Sequence, residues 1–92
     1  MKTITLDLSN YATPKDVHSY LKEMMEFPWD YADNLEALYD ELTSHMENIT
    51  IEVIYPADAQ GAMADYFPKI IQVFEDALKI NYHMKVRFLP VE

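Results

Sequence analysis

Cysteine is absent from the 92-residue chain, and glycine occurs once, as Gly61. Without cysteine there is no disulfide framework, no thiol nucleophile and no cysteine-based zinc site. A single glycine excludes the glycine-rich loops that bind phosphates. No apolar run approaches the roughly 18 residues of a membrane-spanning helix, and the first residues lack the pattern of a signal peptide. We therefore expect a cytoplasmic protein with no cofactor and no membrane partner.

Basic residues are missing from half of the chain. The 46 residues from Glu23 to Pro68 contain no lysine or arginine but contain eleven aspartates and glutamates, and the net charge is −9. This charge has the wrong sign for nucleic acid or an anionic lipid surface. It suits a basic partner, because a surface of one sign speeds the encounter with an oppositely charged one. The alternative is that the acidity only keeps the protein in solution.

Three segments alternate apolar and polar residues, which is typical of strands with one buried face. They are TITLDL (3–8), ITIEVIY (49–55) and MKVRFL (84–89). Four helical patterns lie between them. The second begins near Asp33, the third is a short, weak one in PADAQGAMA (56–64), and the last runs from about Tyr66 to Ile80. The first follows a capping signal, Thr13 with proline next to it.

The predicted element order is therefore β-α-α-β-α-α-β in a single domain, residues 1–92. Strands joined by helical crossovers pair in parallel, and such crossovers are nearly always right-handed. We expect a two-layer α/β fold with a three-stranded parallel sheet in the order 1-2-3. About four helices should cover one face, because strands covered on both faces would be continuous apolar runs.

Like charges stack along the second predicted helix. Asp33, Glu36 and Asp40 are spaced one turn apart, and each neighbouring pair costs about a few tenths of a kcal/mol. Asp33 could cap the helix, and Glu36 could complete a capping box with it. Asp40 has no such role, because it lies in the C-terminal half, where the helix dipole disfavours an anion. The plainest interpretation of Asp40 is an ordinary solvated surface acid.

Aromatic residues surround this acidic stripe. Trp29, Tyr31 and Tyr39 lie close to it in the sequence. The apolar face of the helix is already supplied by Leu35, Leu38 and Leu42. Tyr39 should therefore lie at the margin of that face or outside it. Exposed aromatic rings beside charges are typical of the centre of a protein interface. For Trp29 and Tyr31 a place in the core fits the pattern about as well.

The segment FPWDYADNLEALYDELT, residues 27–43, resembles the signature of the barstar family of ribonuclease inhibitors. That signature is roughly Pro-x-Tyr-Tyr-Gly-x-Asn-Leu-Asp-Ala-Leu-Trp-Asp-x-Leu. Glu36 is a conservative match, and the matching residues are Pro28, Tyr31, Asn34, Leu35, Ala37, Leu38, Asp40 and Leu42. QVFEDA (72–77) is similar to the last helix of the family, with Asp76 in the place of an acid. The resemblance spans nearly the whole chain.

The resemblance implies an intracellular immunity protein that is monomeric when free. It would form a one-to-one complex with a small basic ribonuclease or toxin-type nuclease and block the active site. Asp40 would enter the pocket that normally holds a substrate phosphate, and Glu36 and Asp76 would pair with basic residues at the rim. Packing and hydrogen bonds would come from Tyr31, Asn34, Tyr39 and Thr43. Asp30 stands where the family has a contact tyrosine, and Trp29 beside it could replace that ring.

This chain also departs from the family pattern. Ala32 replaces the motif glycine, so a turn with positive φ would be strained or reshaped there. Tyr39 replaces a tryptophan, and Ser44 and His45 stand where glycine and tryptophan are usual. Since these are contact positions, the target can differ from the usual one. The alternative is a barstar-like module that binds another basic protein and has lost nuclease inhibition.

Two further classes of function are an enzyme and a metal-binding protein. Glu36 and Asp40 are paired carboxylates, as glycoside hydrolysis requires, but they project from one helix and no nucleophile or oxyanion element accompanies them. We therefore expect no enzyme. The acids lack the spacing of a calcium loop, and His18, His45 and His83 are scattered, so we expect no metal site.

Overall fold

This computed structural model describes residues 2–44 and 47–91 of the chain. These ranges contain three parallel strands and three helices. In chain order they are β1 (Lys2–Asp7), α1 (Pro14–Met25), α2 (Leu35–Ser44), β2 (Ile49–Pro56), α3 (Ala62–Leu78) and β3 (Met84–Val91). The sheet has the order β1-β2-β3 with both pairings parallel, which confirms the predicted topology. Within these ranges no helix is both long enough and apolar enough to cross a membrane.

The sheet buries one face and exposes the other. The buried face carries apolar residues of all three strands, among them Leu6, Val53 and Met84. On the opposite face the Glu52 carboxylate accepts a hydrogen bond from the Thr5 hydroxyl at 3.0 Å and pairs with the Arg87 guanidinium at 3.1 Å. These three residues are direct neighbours in the strand register. The polar row across the outer face confirms that the helices cover one face only.

α1 begins as the capping signal predicts. The Thr13 hydroxyl accepts a hydrogen bond from the backbone N–H three residues on, at 3.2 Å, and Pro14 occupies the first helical position. The helix ends at Glu26, which has a φ of 56° and donates its N–H to the Lys22 carbonyl. Val17, Tyr20, Leu21 and Met24 form an apolar stripe on α1, which is buried or half-buried except at Met24, 38% exposed.

The described ranges contain three helices where about four were predicted. The segment PADAQGAMA holds no helix of its own, because the chain turns at Gly61, which has a φ of 68°, and α3 then runs unbroken to Leu78. Pro68 lies inside α3. The helix continues through it because its buried face continues, with Met63 and Phe67 before the proline and Ile70, Phe74 and Ala77 after it.

The N-cap of α2 lies one residue after the predicted one. The Asn34 side-chain oxygen accepts a hydrogen bond from the Ala37 N–H at 2.7 Å, so Asn34 is the N-cap. Asp33 precedes the cap with a φ of 54°, a conformation that aspartate tolerates better than most residues. The capping box of Asp33 with Glu36 is therefore wrong. The turn is reshaped, since the left-handed residue is Asp33 and not Ala32.

Asn34→Ala should lower the free energy of unfolding by about 1 kcal/mol, because it removes the side-chain acceptor at the start of α2. Asp33→Gly is the matched control and should be neutral or stabilising, since glycine adopts a positive φ without strain. Urea denaturation of both variants measures this. A larger loss for Asp33→Gly than for Asn34→Ala would contradict the assignment of the cap.

Candidate protein-binding surface

α2 and α3 pack side by side and leave an open depression of about 360 Å³ between them. We call it the acidic depression, and its lining residues are Leu35, Glu36, Tyr39, Asp40, Val73 and Asp76. Leu35, Tyr39 and Val73 are half-buried and pack against the core. Residues three and four apart share one helix face, so each helix turns its acids and its apolar residues to the same hollow.

The carboxylates of Glu36 and Asp40 are exposed and have no hydrogen bond or ion pair with any other residue that the structure describes. They lie one helical turn apart on α2. Ion pairs are made elsewhere, for example between Lys2 and Glu26 at 3.4 Å. The fold therefore leaves this like-charge pair uncompensated, at a cost of about a few tenths of a kcal/mol.

Asp76 brings a third carboxylate to the acidic depression from α3. It accepts a hydrogen bond from the Gln72 amide at 2.9 Å and pairs with the Lys79 ammonium at 3.5 Å. Both partners are exposed and belong to α3 or the residue after it. Because exposed pairs of this kind contribute about 0–1 kcal/mol, a cation from a partner can replace Lys79 at little cost.

The C-terminal end of α2 carries two hydroxyls that bond to the helix backbone. The Thr43 hydroxyl donates to the Tyr39 carbonyl at 2.8 Å, and the Ser44 hydroxyl donates to the Asp40 carbonyl. Each oxygen keeps lone pairs that can accept a further bond. Thr43 therefore lies one turn beyond Tyr39, next to the acidic depression but not in its lining. His45, named above as a departure from the family, lies outside the described residues.

The segment before α2, residues 26–34, presents Trp29 and Asp30 to solvent. Trp29 is 87% exposed, so it lies at the surface and not in the core. Its backbone carbonyl accepts a hydrogen bond from the Lys22 ammonium at 2.8 Å, which ties the segment to α1. Asp30 is exposed beside it. The segment thus adds an aromatic ring and a further carboxylate near the start of the acidic helix.

Tyr31 lies in the core and not at the exposed interface, the two places between which its sequence context did not decide. It is 7% exposed, and its hydroxyl is 2.7 Å from Nδ1 of His18. Burial raises the pKa of Tyr31 far above its usual range. Tyr31 is therefore out of reach of a partner and can only support the surface from beneath. Asn34 is exposed, and its hydrogen bond to the Ala37 N–H fixes the start of α2.

His18 is the residue that the sequence analysis missed. It is fully buried on α1, with Nδ1 bonded to the Tyr31 hydroxyl and Nε2 to the Tyr66 hydroxyl. Burial lowers the pKa of His18, and the nearby Asp33 carboxylate partly opposes this. In the sequence, the burial of His18 is indicated by its position three residues before Leu21, on the apolar stripe of α1.

Two chemical alternatives find no support in this geometry. Within residues 2–44 and 47–91, no group of three or more histidines, aspartates and glutamates is placed to hold a metal ion. The pair Glu36 and Asp40 projects from one helix and not from two sides of a bound sugar, as glycoside hydrolysis needs. Asp76, on the other helix, is paired with Lys79 at 3.5 Å. The carboxylates of the acidic depression are instead suited to binding cationic side chains of another protein.

The fold and this surface define a class of protein: a two-layer parallel α/β domain with an acidic hollow between two helices. The family model described as Barstar (barnase inhibitor) matches residues 1–89, and the chain therefore belongs to the barstar family. Its members are inhibitors, so the chain is a barnase-inhibitor-like protein. No curated protein matches the chain significantly.

Asp40→Asn should leave the free energy of unfolding unchanged or raise it by about 0.2–0.5 kcal/mol, because it removes a like-charge repulsion. Glu52→Gln, which loses an ion pair, is the control and should lower it by about 0.2–1 kcal/mol. Both are measured by urea denaturation at low salt. A loss above about 1 kcal/mol for Asp40→Asn would mean that Asp40 has a structural partner.

Proposed function

We propose that the protein inhibits a small basic ribonuclease by covering its active site with the acidic depression. The observation that carries this proposal is the exposed carboxylate pair Glu36 and Asp40, which has no partner within residues 2–44 and 47–91 and is joined by Asp76 from α3. An enzyme that cleaves RNA binds phosphates, and it does so with arginine, lysine and histidine. Such a pocket is the natural complement of three carboxylates on one surface.

Asp40 is the residue that we assign to the phosphate subsite. It lies one turn beyond Glu36 on the same helix face and is exposed. A carboxylate accepts charge-assisted, often bidentate, bonds from a guanidinium, as a phosphate does. Glu36 and Asp76 would pair with cations around the subsite. The repulsion between the acids of the free protein is then replaced by attraction across the interface.

The apolar part of the acidic depression would receive the stems of these cations. Leu35 and Val73 are half-buried in its lining, and Tyr39 lies between the two acids of α2. Arginine and lysine bury their methylene stems against apolar surface while the charged head reaches a polar group. A basic side chain can therefore pack along Tyr39 and still meet Asp40.

Trp29 and Asp30 would extend the contact beyond the acidic depression. An exposed tryptophan gains a large apolar contact when a partner covers it, and tryptophan is enriched among interface hot spots. Asp30 adds a carboxylate where related inhibitors have a ring. We infer that the target nuclease offers a further basic residue opposite Asp30. Thr43 would accept a hydrogen bond at the other end of the helix, because its hydroxyl donates to the Tyr39 carbonyl.

Charge would also set the rate of association. The net charge is −9, and the 46-residue stretch without lysine or arginine, which includes α2, carries eleven acids. Such fields raise association rates with an oppositely charged partner. We propose that the protein is cytoplasmic and forms a one-to-one complex with a basic ribonuclease or toxin-type nuclease. The protein would be monomeric when free.

Asp40→Ala should weaken binding to the target ribonuclease by at least about 2 kcal/mol, roughly thirtyfold, because it empties the phosphate subsite. Asp58→Ala removes the same charge from an exposed site outside the acidic depression and should change affinity little. Both are measured by inhibition of RNA cleavage over a panel of small basic ribonucleases. Equal affinities for the two variants would contradict the proposal.

The same panel tests the alternative, a module that has kept the surface but not the target. In that case wild type inhibits no ribonuclease, and a different basic protein binds wild type but not Asp40→Ala. Wild type and Asp40→Ala, used as baits in a cell extract, identify this partner as the basic protein that only wild type captures.

Salt should weaken the complex mainly through association. Between about 0.05 M and 0.5 M salt we expect the association rate to fall roughly tenfold or more, with a smaller change in dissociation. Stopped-flow mixing measures both. The double variant Glu36→Gln/Asp76→Asn, which carries two fewer charges, should show a shallower dependence. Association that is equally fast at both salt concentrations would show that docking is not led by charge.

A further inference from the structure

Two residues of the proposed interface, Trp29 and Asp30, lie in the middle of one β-turn. The Tyr31 N–H donates to the Pro28 carbonyl at 3.0 Å, which closes a four-residue turn with Trp29 and Asp30 at its two central positions. Both central side chains are exposed. Their direction therefore depends on the backbone of the turn and not on packing against the core.

This turn has the geometry of type I. Glu26 and Asp33 are the residues other than glycine that have a positive φ in the described part of the chain, so the φ of Asp30 is negative. A type II turn needs a positive φ at this third position. The two types differ by a flip of the central peptide, which carries the Trp29 carbonyl to the opposite side of the turn. Aspartate tolerates a positive φ better than most residues, so the flip is open to this turn.

Lys22 holds the carbonyl that such a flip would move. The Trp29 oxygen accepts a hydrogen bond from the Lys22 ammonium at 2.8 Å. The donor is charged, which makes the bond stronger than one between neutral groups. The backbone carbonyl of Lys22 also accepts the N–H groups of Glu26 and Phe27, the latter at 3.0 Å. From the last turn of α1, Lys22 thus fastens both the start of the segment 26–34 and the central peptide of its turn.

The Lys22 ammonium makes this bond and no ion pair with a carboxylate of residues 2–44 and 47–91. A cation in the last turn of a helix is favoured by the helix dipole, and this alone would account for a lysine here. The dipole does not require the ammonium to reach a carbonyl seven residues further along the chain. The bond to Trp29 therefore points to a second role.

We propose that Lys22 is a positioning residue for nuclease binding, whose ammonium holds the central peptide of the turn 28–31 in one orientation and so presents Trp29 and Asp30 to the partner. The proposal rests on the proposed function and concerns the same surface. Without this bond the turn divides between two peptide orientations, and the partner fits one of them. The apparent affinity then falls with the fraction of molecules in the competent orientation.

Charge and positioning predict opposite effects for the loss of Lys22. Its ammonium is a positive charge beside a surface that is proposed to meet a basic partner. On charge alone, its removal should strengthen binding, because the protein becomes more negative. If Lys22 orients the turn, its removal should weaken binding. The sign of the change therefore separates the two roles.

The first arm of the test needs no partner. The amide hydrogens of the two central residues lie close together in a type I turn and move apart when the peptide flips, so the NOE between the Trp29 and Asp30 amides reports the orientation. Lys22→Met keeps most of the stem and removes the donor. In this variant the NOE should fall at least about twofold. Exchange protection of the Tyr31 N–H should change little, since both turn types keep its bond.

Two control variants separate the bond from the charge. Lys22→Arg keeps a charged donor and should keep the wild-type NOE. Lys15→Met removes the same charge from an exposed position on α1, where the lysine has no hydrogen bond or ion pair with another described residue, and should keep it too. An unchanged NOE in Lys22→Met would overturn the proposal, and so would an equal loss in Lys15→Met.

The second arm measures affinity for the target ribonuclease. Lys22→Met should bind roughly three- to tenfold more weakly than wild type, and Lys22→Arg should bind like wild type. Lys15→Met should bind as tightly as wild type or more tightly. Equal affinities of the two methionine variants would overturn the role of Lys22 in binding. If wild type inhibits no ribonuclease, the proposed function fails, and the NOE still decides whether Lys22 orients the turn.

Discussion

Repulsion between carboxylates one turn apart on α2 is the interaction on which the proposed binding surface depends. Helix geometry places Glu36 beside Asp40, and the fold supplies neither with a cation among the residues described. The opposite face of α2 stabilises the helix, since Leu38 and Leu42 are almost completely buried. Burying one such side chain contributes about 1.5–3 kcal/mol, several times the cost of the repulsion. The acids can therefore stay unpaired.

The topology gathers the rest of the surface around this pair. Both α2 and α3 lead into strands of one parallel sheet, so they lie side by side and Asp76 joins the acids of α2. Basic residues are used elsewhere, as where Arg87 pairs with Glu52 on the outer face of the sheet. Lys79 is the exception, because its ammonium pairs with Asp76 at 3.5 Å. The fold thus brings three carboxylates together between two helices.

Local patterns were enough to predict the sheet, because alternation and crossover handedness depend on short stretches of chain. The start of α2 was misplaced because Asp33 and Asn34 are adjacent and both are capping residues. The start of α3 was misplaced because Gly61 and Pro68 resemble breaks, while the apolar face continues through them. The burial of Tyr31 was undecidable, since its partner His18 lies on another element. The acidic depression likewise needs the packing of α2 on α3, which no local pattern reports.

The central claim is that the acidic face of α2 occupies the site where the target nuclease binds a phosphate. The most direct measurement is competition: a non-cleavable nucleotide is titrated into the nuclease before the protein is added, and the apparent affinity of the protein is followed. The account predicts that affinity falls in proportion to nucleotide occupancy, and that Asp40→Ala loses most of this sensitivity. A ternary complex of nuclease, nucleotide and protein, with affinity unchanged at saturating nucleotide, would contradict it.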